Sequence, residues 1–536
     1  MRLILWLVCV LCLLACSTST VAVDESSSSK SSSSVKSVLE GSSSSHPVSS
    51  SSSIALSSSS ATGSSQSENS SSSENQNLSE CVGTPGVPWD GTTAKKFACG
   101  SGTKFSPYII LTAEQLALLS FATGAQDEDY TGKYFKLGAD ILLSDQTLID
   151  ENGALIADSS TLEKWTPIGN SKVVFTGYFD GDGHTVSGMF INTTSTHNGL
   201  FGYNRGTVEN VTVTNSWVKG GDYTAGVIGY SDGTISNVAN EASVVGVGDC
   251  AGGVVGKTNY YLASGSYHYP DVKTVVNNGF VTGENYVGGV IACMACTDLS
   301  DAVNQGEVVG KKLVGGISSY FSSLNNRTVK NVRNYGNVTG SLDYVGGIAG
   351  LGATYAGKSC YSSIFHLSGT LEGFYNEGDV IGNNYVGGLF GQACGATLSR
   401  GANKGAVVGE NYVAGLFGNL GYSTTSNLYN RGEVAGSMRV GGIIGYNQEG
   451  VTSSVYTTAK VDGDSLVGIM IGENYNTTMA DYYYISIEGF EPFGVNNGGG
   501  SATAKTSEEM KSPDFAELLG EAWSINLSVN DGYPSW

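Results

Sequence analysis

Proline is scarce in this chain, at 9 residues of 536, and basic residues are outnumbered by acidic ones, 27 against 48. The scarcity of proline separates the 75 glycines from a Pro/Gly-rich disordered composition, so they punctuate something regular. A net charge of −21 with no basic cluster excludes nucleic acid as a partner and disfavours strongly anionic polysaccharides, because both repel an acidic surface. Histidine is short as well. The five, at positions 46, 184, 197, 268 and 366, are never followed by Glu, so the HExxH zinc helix is missing. So are a phosphate loop and a GxSxG elbow. Neither cofactor nor metal is expected, since the isolated pair Cys293 and Cys296 lacks the second pair or neighbouring histidines that zinc needs.

Long apolar runs are confined to the first residues. Arg2 precedes an apolar stretch from Leu3 to Ala15, too short to span a bilayer and built like an export signal. Leu13, Leu14, Ala15 and Cys16 resemble a bacterial lipoprotein signal, which implies removal of residues 1–15 and lipidation of Cys16. Ser17 rather than Asp resembles the outer-membrane sorting default. The expectation is a lipid-anchored outer-membrane protein facing the cell exterior, with the membrane as partner through acyl chains alone. Residues 16–80 carry serine runs such as Ser26 to Ser29 and Ser70 to Ser73 and too little apolar surface for a core, which predicts a disordered Ser-rich tether.

Beyond it a repeat emerges. Gly-Gly-apolar landmarks fall at Gly199, Gly226, Gly253, Gly289, Gly316, Gly347, Gly388, Gly415, Gly442 and Gly468, a base period of 27 residues with three insertions. Asn277, Asn304, Asn334, Asn376, Asn403 and Asn430 recur in Asn-x-Gly, with Asn240 in the same register. Short strands between glycine bends at this period are too short for propeller blades and lack a repeat helix, so they suit coils of a β-solenoid. The fold class predicted is all-β, a right-handed parallel β-helix of about ten 27-residue coils. In such a stack the asparagines form a structural ladder, tolerant of left-handed turns and bonding one another's backbones. A row of tyrosines three residues before the marked glycines, Tyr223, Tyr286, Tyr344, Tyr385 and Tyr412, likewise reads as stacked rings that stabilise adjacent strands.

These repeats resemble the GLUG motif family, visible in Gly199 to Val213, Gly252 to Gly256, Gly387 to Gly391 and Gly441 to Asn447. The resemblance implies a bacterial surface or secreted protein in adhesin-like or polysaccharide-associated settings. It divides the chain into an N-terminal cap with opening coils (81–198), the repeat solenoid (199–475) and a C-terminal coil and cap (476–536). Thr112 with Gln115, and Thr506 with Glu509, predict short capping helices at the two ends, the second running through Phe515, Leu518 and Leu519 to Gly520.

The three insertions all enter between a marked glycine and the next asparagine, so they project from one side of the stack. They are rich in aromatics: Tyr260, Tyr261, Tyr267, His268 and Tyr269, then Tyr320 and Phe321, then Tyr355, Tyr361, Phe365 and His366. Such rings either bind a ligand, since ring faces pack on the apolar faces of pyranoses, or pack the loops on the solenoid wall. Among the cysteines, Cys81 and Cys99 bracket the start of the folded region, and Cys360 and Cys394 fall in consecutive expanded coils. These are the two disulfide candidates, with Cys250, Cys293 and Cys296 leaving an odd one.

Catalysis has thin support: Asp249, Asp271, Asp298 and Asp301 lie near the expanded corner without a recurrent pair, and Asp180 and Asp182 read as a tight turn. The function expected is a non-catalytic surface binding or adhesion lipoprotein that contacts extracellular polysaccharide or a surface protein. The alternative is a polysaccharide lyase or glycoside hydrolase on the same scaffold.

Overall fold

A computed structural model describes residues 81–124, 130–322, 326–354 and 369–536. The export signal, Cys16 and the serine tether lie outside them, as do Tyr355, Cys360, Tyr361, Phe365 and His366. The described residues form a parallel β-solenoid of about 13 turns. The ten coils marked by glycines are its middle, and the stack continues past them at both ends.

One coil shows the plan. Ile291–Ala295 runs in an 11-stranded sheet, called here the inner sheet, and Asp298–Asn304 in a 16-stranded long sheet. Val308–Gly310 and Lys312–Gly315 are then two short strands of a 17-stranded sheet. The next coil opens with Ser318 in register over Ile291, 27 residues on. Two separate cores result. Side chains such as Ile291, Met294, Leu299 and Ala302 fill the main one between inner and long sheets. The other is almost wholly valine: Val308 packs with Val314, and their counterparts Val338 with Val345 and Val380 with Val386, so the 17-stranded sheet is called here the valine sheet. Each valine removed from water contributes about 1.5–3 kcal/mol, and because one coil cannot close either core by itself, stability accrues between neighbours.

The Asn-x-Gly and Gly-Gly landmarks meet at the neck between the cores. Asn240, Asn277, Asn304, Asn334, Asn376, Asn403 and Asn430 are fully buried, and each amide nitrogen from Asn240 to Asn403 donates to the next asparagine's oxygen at 2.7–2.8 Å. The same nitrogens donate to the carbonyl two residues on, as Asn304 does to Gly306 at 2.8 Å. The ladder is present, but it is made of side-chain amides, and none of these asparagines is left-handed. Opposite it, a Cβ on Gly388 would sit 2.1 Å from the Gly415 carbonyl oxygen and 2.4 Å from the Asn403 side chain, which is why glycine occupies that position.

The helix Ala113–Gly124 places Leu116 and Leu119 in the main core beside Ile110 and Phe135, covering the first turns. Gln115 accepts from Leu111 N at 2.8 Å, one residue further back than the expected box with Thr112, and donates to Val82 O. At the other terminus the Thr506/Glu509 capping box forms and the expected helical segment is two short helices, Ser507–Met510 and Pro513–Leu519, divided where Pro513 starts a new helix capped by Ser512. Nor does this segment cap the end of the stack. It folds back along the outer face of the long sheet, where Met510, Phe515, Leu519, Trp523 and Tyr533 cover the in-register row Tyr429, Tyr456 and Tyr483. That outward tyrosine row supplies the apolar ground that draws the segment sideways.

Candidate ligand-binding surface

The three insertions share one corner, as their spacing requires: each lies between an inner-sheet strand and the following long-sheet strand. The first is a β-hairpin, Tyr261–Ala263 paired antiparallel with Ser266–His268. Its two turn residues, Ser264 and Gly265, are both left-handed, the geometry that lets a two-residue turn match strand twist. The alternation of side chains sorts the rings. Tyr261 stacks on His268 at 4.7 Å on one face, while Tyr260, Tyr267 and Tyr269 cluster on the other with centroids 5.3–6.4 Å apart. Tyr267 and Leu262 stay exposed, at 38% and 58%.

Two cations pin the hairpin to the wall. The Arg205 guanidinium lies 4.5 Å from the Tyr261 ring and that of Arg327 lies 4.4 Å from the Tyr269 ring. Each is held in turn by a carboxylate, Arg205 by Asp232 and Arg327 by Asp298, both at 3.0 Å. Asp232 is buried and also accepts from the Tyr203 hydroxyl at 2.9 Å. Burial raises its pKa despite the Arg205 partner, and burial together with the Asp232 charge pushes the Tyr203 phenol up.

Two expected ligand contacts are corrected. Tyr320 and Phe321 belong to the inner-sheet strand Ser318–Ser322 and not to the inserted loop. Phe321 is in the main core against Phe374 and Phe390, and Tyr320 is buried edge-on to Tyr286, so neither meets solvent. The expected Cys81–Cys99 disulfide is present, and Cys250 pairs with Cys293. Cys296 and Cys394 are also disulfide-bonded, while the proposed partner Cys360 falls outside the described residues.

A second aromatic feature runs along the seam where the valine sheet turns into the inner sheet. The expected tyrosine row is one side of it, and Cys250 occupies the same register. The other side, four residues after each marked glycine from Gly199 to Gly442, is Tyr203, Tyr230, Lys257, Cys293, Tyr320, Leu351, Gln392, Asn419 and Tyr446. That offset is readable in the sequence, though the mixed residue types at it hide the row. Near the hairpin the two rows meet as His197, Tyr203, Tyr223 and Tyr230 in mutual contact, with the Lys257 ammonium 5.1 Å from the Tyr223 ring. Burial lowers the pKa of both Lys257 and His197 and raises that of Tyr230 to about 12.

Among the described residues the carboxylates near the expanded corner are engaged in separate contacts, Asp249 with Asn285 and Asp301 with Asn331. Asp271 and Asp298 are register neighbours, but Asp271 faces Lys273 at 3.7 Å and Asp298 is committed to Arg327 and to Thr328 N. Asp182 N donates to Asp180 Oδ1 at 2.8 Å with Asp182 left-handed, the tight turn expected there. No group of three or more His, Cys, Asp or Glu side chains among the described residues converges as a metal site. The chemistry on display is aromatic and hydrogen-bonding.

Among known proteins, no family model matches the chain. A protein of Evansella cellulosilytica provisionally named Gly-rich membrane protein is 34% identical over 125 residues, 23% of this chain and 12% of that one. Halomucin of Haloquadratum walsbyi is 32% identical over 139 residues, 25% of this chain and 1% of its own length. The matches therefore span a small part of either relative. A crystal structure from Bacteroides ovatus, provisionally described as an immunoglobulin A1 protease, aligns over 82% of this chain and 95% of its own at 17% identity and a TM-score of 0.34.

Proposed function

We propose that this chain is a non-catalytic lipoprotein of the bacterial surface that binds extracellular polysaccharide through the Tyr260–Tyr269 hairpin. The observation that carries the reading is the hairpin itself: five aromatic side chains in ten residues, fastened by Arg205 and Arg327 rather than sunk into the core. Rigid, partly exposed rings are the economical way to hold apolar sugar faces, since little side-chain freedom remains to be lost on binding. The sequence from Leu13 to Cys16 supports lipid anchoring, and the serine tether would carry the solenoid outward by roughly 40–50 Å. No helix among the described residues is long and apolar enough to cross a membrane. The GLUG-like repeats and a relative named as a membrane protein fit the same setting.

The test is affinity electrophoresis of the lipid-free chain in a panel of polysaccharides, with reducing-sugar and unsaturated-uronide assays on every polymer that retards it. Retardation without product, lost in a Tyr260→Ala/Tyr267→Ala variant, is the expected result. Product release would move the reading to a lyase or hydrolase, and retardation indifferent to that variant would remove the hairpin from it.

A further inference from the structure

Two left-handed positions recur at fixed register in the described coils, and the residues chosen for them differ. In the middle of the long-sheet strands asparagine, aspartate or glycine, the types that take positive φ at least cost, fill seven of ten positions, Asn210, Asn237, Asp301, Asn331, Gly373, Asn427 and Asp481, with Thr274, Arg400 and Ser454 at the other three. Before the Gly-Gly turn every coil is left-handed too, with φ between 54° and 66°, yet asparagine, aspartate and glycine never appear there. Tyrosine fills five of these positions and leucine two. A bulky residue in this conformation carries about 1–2 kcal/mol of strain that asparagine or glycine would largely avoid. Strain repeated at one register of a stack asks for a reason beyond turning the chain.

Where the row is densest it becomes a ladder. Tyr344, Tyr385 and Tyr412 stack face to face at 4.9 and 4.5 Å with planes 8° and 12° apart, and Arg439 closes the last face at 4.8 Å. The rings are half-buried. The row packs on the opposite row one coil ahead: Cys250 meets Cys293, Tyr286 meets Tyr320, Tyr412 meets Tyr446, and Arg439 meets Glu473. By that offset Tyr344 stands over Gln392 and Tyr385 over Asn419. Asn419 is 8% exposed, and its Oδ1, itself shielded from solvent beneath the row, has no hydrogen-bond partner among the described residues. An amide acceptor left unsatisfied costs about 1–3 kcal/mol.

We propose that this ladder, Tyr344, Tyr385 and Tyr412 with Asn419 beside it, is a second binding strip that takes a neutral polysaccharide chain. Phenol and amide groups both donate and accept, and the strip presents them once per coil, about every 4.8 Å. That is close to the length of one pyranose unit in an extended chain. With ring faces already occupied by one another, the contacts would be hydrogen bonds from ring edges and amides, complementary to the ring-face stacking offered by the hairpin. Neutral polymer is favoured because the chain is strongly acidic and the cation at the end of the ladder, Arg439, is already paired with Glu473. The inference deepens the polysaccharide-binding reading and shares its premise that the solenoid binds glycans.

The experiment uses the full lipid-free chain in affinity gels containing neutral β-glucan or galactomannan, with alginate as the anionic comparison. Three variants are run: Tyr385→Asn, which keeps a left-handed-tolerant residue and removes the ring; Asn419→Leu, which removes the amide at similar volume; and the hairpin variant Tyr260→Ala/Tyr267→Ala. The expected result is retardation by a neutral polymer only, weakened about fivefold, the worth of one hydrogen bond, by each ladder variant with little change in thermal midpoint. Loss in the hairpin variant alone, with both ladder variants binding as wild type, overturns the strip and leaves the hairpin reading standing. Loss in the ladder variants alone does the reverse. Wild-type protein that ignores both neutral polymers overturns the strip, and the hairpin reading falls with it only if the alginate gel and the wider panel fail to retard the protein as well.

Discussion

Asn304 and Asn334 hold each other across a coil boundary, the Nδ2 of the first donating to the Oδ1 of the second at 2.7 Å with both side chains fully out of water. Asn334 in turn donates to Gly336 O and to Asn376 Oδ1, each at 2.7 Å. Asn334→Ala would strand a donor below and two acceptors at the neck and above. At about 1–3 kcal/mol per buried unsatisfied group, the loss should reach at least ~2 kcal/mol even after partial relaxation. Amide exchange should accelerate first in the strands around 298–304 and 369–376, because a solenoid is held by nearest-neighbour contacts. Uniform exchange along the whole stack would contradict that assignment.

Glycines at the neck and in the hairpin turn should respond very differently to a single methyl group. Gly388→Ala drives Cβ to 2.1 Å from a backbone carbonyl of the next coil, which only a backbone shift can relieve. Gly265→Ala, at φ +79 with nothing within 4 Å, carries only left-handed strain, about 1 kcal/mol. Soluble yield and thermal midpoint of the two variants are the measurement, and equal losses would mean the neck is looser than described.

How much of this was legible depends on whether a feature repeats. The period, the asparagine ladder and the shared corner of the insertions followed from spacing, because every coil restates the same constraint. Tyr320 and Phe321 were misplaced since aromatics next to an insertion look alike whether they sit on the strand or in the loop, and only register, with Tyr320 over Cys293, tells them apart. Asp232 and Arg205 were invisible for the opposite reason: their pairing belongs to one site and leaves no period. The C-terminal helices were foreseen from Thr506 and Glu509, but not their sideways path, which is dictated by outward tyrosines three coils deep.

The cluster around His197 should make stability fall on acidification. Burial holds the His197 pKa below its ordinary value of 6.5, Lys257 lowers it further, and Asp222 opposes both, with the rings of Tyr203, Tyr223 and Tyr230 packed around the imidazole. The unfolded chain then binds the proton more readily, so this contribution is complete above pH 6.5 and is lost as pH falls from 6.5 through the folded-state value. His197→Asn, tolerant of the φ of 64° there, should show a shallower decline of thermal midpoint between pH 7.5 and roughly 5. Parallel declines in the two proteins would exclude His197 as the source.

Cys250 and Cys293 join consecutive coils at the seam position where Tyr286 and Tyr320, or Tyr412 and Tyr446, meet through their rings. With the two cysteines 43 positions apart in sequence, opening the bond releases loop entropy worth up to about 4 kcal/mol in the unfolded chain. A Cys250→Ser/Cys293→Ser variant should therefore lower the midpoint of guanidinium unfolding measurably. An unchanged midpoint would mean that the unfolding unit does not include these coils.

The C-terminal segment gives the sharpest separation of fold from cover. The Tyr456 hydroxyl donates to Pro534 O at 2.6 Å and accepts from Asn530 Nδ2 at 2.9 Å, Arg431 pairs with Asp531 at 2.7 Å, and Trp523 and Trp536 both donate to Asn427. All these partners lie on the outer face of the long sheet, so removing residues 506–536 takes away no coil. The truncated chain should keep its β-sheet circular dichroism while exposing Tyr429, Tyr456 and Tyr483 as a contiguous apolar stripe, read as increased dye binding and self-association. Had the segment been an end cap, truncation would instead unravel the stack from its last strands, with loss of β signal; retention of signal together with new apolar exposure is the outcome the lateral packing requires.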